Sequence, residues 1–433
     1  MSERTIQVDY VARVEGEGAL QVRLRDEEIE EIQLRLFEPP RFFEALLSGR
    51  RYQEAPDITA RICGICPVAY QMSACHAMEK ALGIRVEGPI RDLRRLLYCG
   101  EWIESHALHI HLLHLPDFLG VPDAITLAKE HPAEVKRGLE LKRLGNDLMR
   151  ALGGREIHPI NVRVGGFYRV PSREELAPLL PRLEQAREQA EAMVRFLSGL
   201  RFPDIQEDYE FVALRHSEEY PMNEGEVVSS TGIRIPQERF EEVFEEVQVP
   251  YSNAYHVVHK GRGSYLTGPM ARYALNHDRL TPRARALASE IGLGPQERNP
   301  YRSILIRAIE VLFACEESLA ILRRYRPPAA AWVEPPHAIA PEVTCAITEA
   351  PRGMLYHRYR IAPDGTIVNA RIVAPTTQNQ KRIEDDLTQV VRAGLHLPDA
   401  ELAASCERAI RNHDPCISCA THFLDFRVER LPR

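Results

Sequence analysis

Two cysteine pairs dominate this sequence, and they stand near opposite ends of the chain. The first lies in Arg61-Ile-Cys-Gly-Ile-Cys-Pro67 and the second in Asp414-Pro-Cys-Ile-Ser-Cys-Ala-Thr-His422. A C-x-x-C turn directs both sulfur atoms to one point, so two such turns can supply four thiolates to zinc, iron or nickel. A zinc ribbon separates its pairs by about 15–20 residues, whereas Cys416 follows Cys66 by 350 positions. We therefore expect a buried centre around which the whole fold is built.

Two plainer interpretations stay open at this point. The turns are then unrelated, each a redox pair or a packing feature, or they form a simple zinc scaffold, because four thiolates also suit that ion. The presence of two pairs, and the segments around them, favour a shared site.

The composition is that of an ordinary globular protein. The 433 residues are 44% apolar and 27% charged, which allows a sizeable core. The formal charge of −7 argues against nucleic-acid binding, because a general nucleic-acid binder carries a basic excess. The sequence contains no run of about 20 apolar residues, the length that a membrane span needs, and its charged first residues do not form a signal peptide. Nine cysteines, an odd number, do not suit a secreted disulfide scaffold, so we expect a reducing, cytoplasmic location.

Hydrophobic periodicity predicts an α+β fold with a large, mostly helical body, a bundle of long helices. Alternating apolar residues predict strands within residues 5–36, and a further strand pair, Met354–Ile361 and Thr366–Ile372, around the turn residues 363–365. Small antiparallel β elements are therefore expected near the N-terminus and around residues 354–373. Helical patterns cover the ranges 40–49, 66–82, 89–115, 133–151, 173–199, 303–324 and 381–412.

We expect one compact domain over residues 1–433, because no repeat, low-complexity tract or flexible linker interrupts it. Within this domain, residues 1–60 form a β region with a first metal-supporting helix, and residues 61–325 form the helical core. The prolines of residues 327–341 predict an irregular crossing, so residues 326–375 are assigned to that crossing and a β hairpin. Residues 376–433 hold the C-terminal helices and the second cysteine pair.

The segments around the cysteines resemble the large subunit of nickel–iron hydrogenases. Further signatures of that family are matched by Arg13-Val-Glu-Gly-Glu-Gly18, Gly153-Gly-Arg-Glu-Ile-His-Pro159, Gly165-Gly166, Glu349-Ala-Pro-Arg-Gly353 and Ala374-Pro-Thr-Thr377. These elements run in family order, so the resemblance covers nearly the whole chain. Tyr70 stands where many membrane-linked members carry histidine, which makes the soluble, NAD(P)-reducing or bidirectional members the most similar group. The resemblance implies the fold of that subunit, which the 49 kDa subunit of complex I shares, and reversible cleavage of H2 into two protons and two electrons.

The resemblance also implies a role for each cysteine. It makes Cys63 and Cys416 terminal ligands of nickel, and it makes Cys66 and Cys419 bridges between nickel and iron. The chemistry agrees, since thiolates are soft donors suited to nickel and a sulfur lone pair can bridge two metals. The remaining positions of iron hold cyanide and carbon monoxide in this family, and dedicated maturation proteins supply them.

Several further matches concern the reaction. The resemblance places the Arg352 guanidinium over the vacant metal position, where a fixed cation orients hydrogen and stabilises developing charge. It makes Cys416 the first proton acceptor and Glu15 a relay carboxylate. Three other residues match positions around the cofactor: Pro351, Thr376 and Asp414. The plainer alternatives are a surface ion pair for Arg352 and a solvated strand-end charge for Glu15.

A magnesium site is implied beside the cysteines. Glu44 matches a carboxylate ligand, and the backbone carbonyl of Ile372 and the side chain of His422 complete the protein share of the site. Magnesium prefers oxygen ligands, so the histidine rests on the resemblance alone.

Two features depart from the family pattern or imitate a metal site. Ser105 stands where many members carry an aspartate before the histidine at His106, which removes one acidic group near the site. The histidines 106, 109, 111 and 114 imitate a metal cluster, but helical spacing spreads them too widely to face one ion. We interpret them as packing and polar-network residues.

The electrons need a partner subunit. The other five cysteines show no iron–sulfur spacing, and no G-x-G-x-x-G dinucleotide motif is present. The resemblance names an iron–sulfur small subunit, joined in the cofactor-coupled group by flavin and NAD(P)-reducing subunits. Iron–sulfur clusters, FAD and NAD(P) are therefore expected on partner subunits only.

Two alternatives keep the fold and change the role. A non-catalytic subunit of a complex-I-like assembly shares the ancestry, but such relatives lack the four cysteines that this chain keeps. A hydrogen-sensing protein has the same site and a signalling partner, and its turnover rate would distinguish it.

Residues Phe423–Arg433 follow His422 either as an extension that a C-terminal endopeptidase removes during maturation or as a segment that packs permanently.

Overall fold

The computed structural model describes residues 3–26, 28–39, 41–335 and 342–422, except the side chain of residue 342. Its helices, numbered in chain order, are α1 Phe43–Leu47, α2 Ala55–Thr59, α3 Pro67–Leu82, α4 Gly88–Leu108, α5 Leu115–Leu119, α6 Ala124–Glu130, α7 Pro132–Gly153, α8 Arg173–Leu176, α9 Leu179–Ser198, α10 Phe240–Val243, α11 Pro269–Asn276, α12 Pro282–Glu290, α13 Ser303–Arg324, α14 Pro375–Ala393, α15 Asp399–Asn412 and α16 Ile417–Ala420. Its strands are β1 Glu3–Val8, β2 Gly18–Arg25, β3 Glu28–Leu36, β4 Val162–Arg163, β5 Gly166–Phe167, β6 Val212–Arg215, β7 Glu226–Ser229, β8 Arg234–Ile235, β9 Phe244–Val247, β10 His256–His259, β11 Glu342–Ala350, β12 Gly353–Ile361 and β13 Ile367–Val373. A mostly helical body with small antiparallel sheets is thus confirmed.

The long helices α4, α7, α9 and α13 form the centre of the body. Helices α4 and α7 approach closely because glycines face each other: a Cβ at Gly145 would lie 2.5 Å from the carbonyl oxygen of Gly100. Helix α13 packs on α4 and α9 and buries most of its residues. Among the described residues, no helix combines the length and the apolar character that crossing a membrane requires.

The N-terminal strands form the antiparallel sheet β1-β2-β3, as the alternating apolar residues predict. Leu20 and Val22 of β2 are fully buried in a small hydrophobic cluster with Ile383 of α14 and Ile410 of α15. This packing brings the N-terminal sheet against the helices that precede the second cysteine pair.

The predicted helix over residues 89–115 differs from the observed one. Helix α4 ends at Leu108, a π-helical segment covers His109–His114, and α5 continues to Leu119. In a π-helix the hydrogen bond runs from residue i to i+5, so the rings of His109 and His114 lie on one side with centroids 4.9 Å apart. The predicted helix over 173–199 is likewise divided into α8 and α9, with Pro178 at the N-cap of α9.

The sheet β11-β12-β13 contains the predicted strand pair and one strand that the sequence did not predict. Strand β11 pairs antiparallel with β12 along its full length. Its residues 344–350 are all buried, so the alternation of apolar and polar residues that marks a half-exposed strand is absent. The turn from β11 to β12 carries Pro351 and Arg352, and α3 packs against this sheet.

Candidate metal centre

The two cysteine pairs meet in the interior of the protein. The Sγ atoms of Cys63 and Cys416 lie 3.6 Å apart, and those of Cys66 and Cys419 lie 3.8 Å apart. All four sulfur atoms lie within 4.8 Å of one another, and all four residues are buried and free of disulfides. Four soft donors around one point form a site for transition metals rather than for magnesium or calcium.

Each cysteine pair lies at the start of a helix. Cys66 is the N-cap of α3, whose first residue is Pro67, and Cys416 is the N-cap of α16, which contains Cys419. Proline suits the first helical position because its missing N–H has no partner there anyway. The Sγ atom of Cys63 accepts hydrogen bonds from the backbone N–H groups of Ile65 and Cys66, both at 3.3 Å. These hydrogen bonds fix the turn between the two cysteines of the first pair.

The N-terminal segment closes over the second pair. The Glu15 carbonyl accepts the N–H of Ile417 at 2.9 Å, and the Glu15 carboxylate accepts the N–H of Ser418 at 3.1 Å. Gly16 allows this approach, since its φ is +89° and a Cβ there would lie 2.7 Å from the Cβ of Ile417. Glu15 is half-buried, so it lies between the cysteine helix and the surface.

The electrostatics of the four thiols oppose full ionisation. Hydrogen bonds from the Cys416, Cys419 and Cys66 thiols hold the pKa of Cys63 well below its usual range. Burial and the neighbouring Cys419 raise the pKa of Cys416 well above it. Several thiolates would repel one another in this dry pocket, and a bound metal would supply the counter-charge that they need.

Arg352 is the charged group that faces the thiols from the β11–β12 turn. It is 3% exposed. Its Nε donates to the Asp414 carbonyl at 2.8 Å, its Nη2 to the Asp414 carboxylate at 3.2 Å, and its Nη1 to Ser105 Oγ at 3.4 Å. Although burial acts in the opposite direction, the charges of Asp414 and Cys416 raise the pKa of Arg352 well above its usual value. The guanidinium is therefore a fixed cation, and the surface ion pair that was its alternative is wrong.

A second arginine fixes the turn that carries Arg352. The fully buried Arg272 donates to the carbonyls of Ala350 at 2.7 Å and of Pro351 at 2.8 Å. It also binds both oxygens of Glu310 and one oxygen of Glu349. Against the effect of burial, Arg272 holds the pKa of Glu310 down to about 2, whereas burial raises the pKa of Glu349 to about 7.

Thr376 and Asp414 lie beside the cysteines, as the sequence predicts. The Thr376 hydroxyl accepts the N–H of Cys416 at 2.9 Å. The Oδ2 atom of Asp414 is buried without a hydrogen-bond partner among the described residues, and so is the hydroxyl of Tyr70. Two polar atoms without partners beside four buried thiols fit a site that holds an additional polar group. The donor set therefore fits a nickel–iron group.

The three residues predicted to bind magnesium also lie together. Glu44 Oε1 accepts the backbone N–H of Ile372 at 2.6 Å, and His422 Nε2 lies 2.8 Å from the Ile372 carbonyl oxygen. They line a cavity of about 370 Å³ that also touches Cys419. Burial raises the pKa of Glu44 above its usual value, and the charge of His422 offsets only part of this shift.

The four histidines of residues 106–114 have separate hydrogen-bond partners, although the π-helical segment brings the rings of His109 and His114 together. His106 binds Glu310 at 2.9 Å. His109 Nε2 binds the Arg411 carbonyl at 2.9 Å, His111 lies 3.1 Å from the Met193 sulfur, and His114 binds Asn412 at 3.0 Å. They do not share one ion site.

Sequence reasoning missed several residues of this region. Arg272 carries no motif that assigns it a contact with the site, and Tyr70 indicates only the subgroup of the family. Glu310 could have been found, because it and Arg307 are the only charges in the otherwise apolar residues 304–315, and a charge in such a run has a buried partner.

Comparison with known proteins agrees with this site. The family described as nickel-dependent hydrogenase matches residues 41–138 and 305–422, which include both cysteine pairs. The chain is similar to the sulfhydrogenase 2 subunit alpha of Pyrococcus furiosus, with 34% identity over 433 residues that cover 97% of this chain and 99% of that protein.

Two further relatives carry NAD reduction in their descriptions. The NAD-reducing hydrogenase HoxS subunit beta of Cupriavidus necator is 27% identical over 473 residues, covering 97% of this chain and 95% of that protein. A crystal structure of an NAD⁺-reducing [NiFe]-hydrogenase in the H2-reduced state superimposes with a TM-score of 0.87 and 28% identity, covering 97% of this chain and 99% of that one.

Proposed function

Because the chain belongs to the nickel-dependent hydrogenase family as a large catalytic subunit, we propose that it catalyses the reversible heterolytic cleavage of H2 into two protons and two electrons. The observation that carries this proposal is the convergence of four buried thiols under the fixed guanidinium of Arg352.

The four cysteines would hold nickel and iron. Cys63 and Cys416 would bind nickel alone, Cys66 and Cys419 would bridge the two metals, and cyanide and carbonyl ligands would complete the iron. When bound, this group would polarise dihydrogen and take up its electrons.

The surrounding side chains would orient the substrate and remove the proton. Cys416, whose helix Glu15 contacts, would accept the proton on sulfur. The Glu15 carboxylate, held beside the same helix at Ser418, would carry it toward the surface. Arg352, bound to Asp414, would stabilise negative charge without accepting the proton, because its pKa is raised. Thr376 would keep Cys416 in place through its N–H group.

Glu44, the Ile372 carbonyl and His422 would hold magnesium next to this site. Their mutual contacts at 2.6 and 2.8 Å support the proposal, because an ion could replace hydrogen bonds that already join them. Bound there, the ion would fasten α1 and β13 to the segment that follows Cys419.

The electrons would leave through partner subunits. The relatives of this chain are named as subunits of hydrogenases. These names support partner subunits: an iron–sulfur small subunit and, beyond it, flavin subunits that reduce NAD(P). We place this assembly in the cytoplasm, with maturation proteins that load the metals. Residues 423–433, the segment for which we predict endopeptidase removal or permanent packing, lie outside the described part of the chain.

The test is metal analysis and infrared spectroscopy of the complex purified with its partners. We expect one nickel for each copy of this chain, with iron in excess because the partner clusters also contain it, and cyanide and carbonyl stretching bands. The variant Cys419→Ser should lose nickel and these bands. The matched control Cys75→Ser, another fully buried cysteine, should keep them. Zinc in place of nickel, without the bands, would refute the proposal and restore the zinc scaffold.

A further inference from the structure

A buried aspartate, Asp117 of α5, joins the two chain segments that meet at the second cysteine pair. Its Oδ1 atom accepts Nη2 of Arg13 at 2.5 Å, and its two oxygens accept Nη2 and Nε of Arg411 at 2.8 and 2.7 Å. The side chains of Asp117, Arg13 and Arg411 are 5%, 16% and 4% exposed. Arg13 stands two residues before Glu15, and Arg411 stands three residues before Asp414. The reaction proposed above uses none of the three members of this Asp117 cluster.

Arg13 fixes the turn that leads to Glu15. Its Nη1 also donates to the carbonyl of Leu113, in the π-helical segment, at 2.7 Å. The preceding peptide group is held as well, because the Ala12 carbonyl accepts Nη1 of Arg411 at 2.9 Å. The φ of Arg13 is +59°, a left-handed conformation that costs energy in residues other than glycine. The contacts of the cluster therefore hold a strained turn directly before Glu15.

Arg411 fixes the turn that leads to the second cysteine pair. Its carbonyl accepts the N–H of Asp414 at 3.1 Å. Asp414 also has a positive φ, of +51°, and it binds the guanidinium of Arg352. Cys416 follows two residues later and forms an isolated parallel β-bridge with Glu15. One aspartate therefore connects both of the segments that bring Glu15 and Cys416 together.

We propose that Asp117 is a positioning residue of the hydrogenase site: by holding Arg13 and Arg411 together, it sets how closely the Glu15 carboxylate approaches Cys416. The inference rests on the proposed function, in which the Cys416 thiol passes its proton to that carboxylate. The transfer needs the two groups within about 2.6–3.2 Å of each other, or joined by one water. A small displacement of the Glu15 segment therefore slows proton removal, while metal binding and the access of H2 stay unchanged.

A purely structural ion pair is the alternative, and its loss would lower stability without a specific effect on proton transfer. Two substitutions loosen the cluster in different ways. Asp117→Asn removes the negative charge and leaves one acceptor oxygen for two guanidinium groups. Arg13→Asn releases the N-terminal segment alone, and asparagine tolerates a positive φ. It also leaves Asp117 paired with Arg411, so no buried charge loses its last partner.

The experiment uses the purified complex and the variants Asp117→Asn, Asp117→Glu, Arg13→Asn and Glu15→Gln. The matched control is Asp147→Asn, because Asp147 of α7 also binds two arginines, Arg150 and Arg182, each at 2.6 Å. We first record nickel content and the cyanide and carbonyl bands. We then measure kcat and KM for H2 oxidation, both in H2O and in D2O.

We expect Asp117→Asn and Arg13→Asn to keep nickel, its bands and the KM for H2, and to lower kcat about tenfold. The ratio of kcat in H2O to kcat in D2O should rise, because proton transfer then limits the rate. Glu15→Gln should show the same changes to a larger extent. Asp117→Glu keeps the carboxylate and should recover part of kcat, and Asp147→Asn should resemble the wild type.

An unchanged kcat in Arg13→Asn overturns the inference, and so does a raised KM with an unchanged ratio between H2O and D2O. If Asp117→Asn loses nickel, Arg13→Asn alone decides between positioning and a structural ion pair. A wild-type kcat in Glu15→Gln beside a slow Asp117→Asn also overturns the inference, because Asp117 then does not act through Glu15. Absence of metal bands in the wild-type complex refutes the proposed function itself.

Discussion

Replacing Arg352 with lysine tests how the site stabilises charge. The guanidinium uses three different nitrogens to contact the Asp414 carbonyl, the Asp414 carboxylate and Ser105. A lysine ammonium keeps the positive charge but can satisfy only one of these directions, so two hydrogen bonds are lost. Hydrogen bonds to charged groups contribute about 1.5 kcal/mol each at the low end of their range, which gives a loss of about 3 kcal/mol.

If the whole of that loss falls on the transition state, through a displaced positive charge, kcat/KM for H2 should fall about 100-fold, since each 1.4 kcal/mol is about a factor of ten. The assay is H2-dependent dye reduction by the purified complex, on samples whose cyanide and carbonyl bands equal those of the wild type. The control is Arg358→Lys on the neighbouring β12, where the arginine makes only a partly exposed ion pair with Glu241. If Arg352→Lys keeps its bands and its kcat/KM falls by less than about threefold, the three contacts do not position the cation and the reasoning is wrong.

Three further outcomes follow from the packing and charges. Gly16→Ala should destabilise the protein more than Gly49→Ala, because both glycines have positive φ but only a Cβ at Gly16 would contact neighbouring atoms. The unfolding midpoints of the two variants measure this difference, and equal midpoints would contradict the close packing at Gly16. Arg272→Met should cost about 3–5 kcal/mol by leaving buried carboxylates unpaired, and adding Glu310→Gln should recover part of that loss in urea denaturation; no recovery would contradict the pairing. The pKa of Glu310 is about 2 in the folded protein, against an ordinary value of 4.5. Its ionised form therefore stabilises the fold above about pH 4.5, and this stabilisation is lost as the pH falls toward 2. The difference in free energy of unfolding between the wild type and Glu310→Gln should narrow over this range, and a constant difference would contradict the prediction.

The parts of the fold that show local periodicity could be predicted from the sequence. Strands β1 to β3 alternate apolar and polar residues because one face is covered, and helices α3 and α13 begin and end close to their expected positions. Strand β11 could not be found in this way because it is buried on both sides. The π-helical segment His109–His114 also escaped prediction: His109 and His114 bind Arg411 and Asn412 of α15, contacts that no local pattern shows.

The candidate site divides along a similar line. The cysteine spacing and the flanking motifs place the thiols, Arg352, Asp414 and Thr376 in one region, and the structure brings them together. The contacts of Arg272 are set by tertiary packing alone, so no local pattern reports them. The roles of Glu15 and Glu44 stay predictions.

A metal ion that binds both Cys63 and Cys416 would also change the stability of the fold. The two residues are 353 positions apart, so a metal bound to both would act as a cross-link that closes most of the polypeptide into a ring. The chain-entropy relation for such a ring gives about 6 kcal/mol of stabilisation at 25 °C, through fewer conformations of the unfolded chain. Chelation would release that constraint, and the metal-free subunit should then be far more susceptible to proteases than the loaded one.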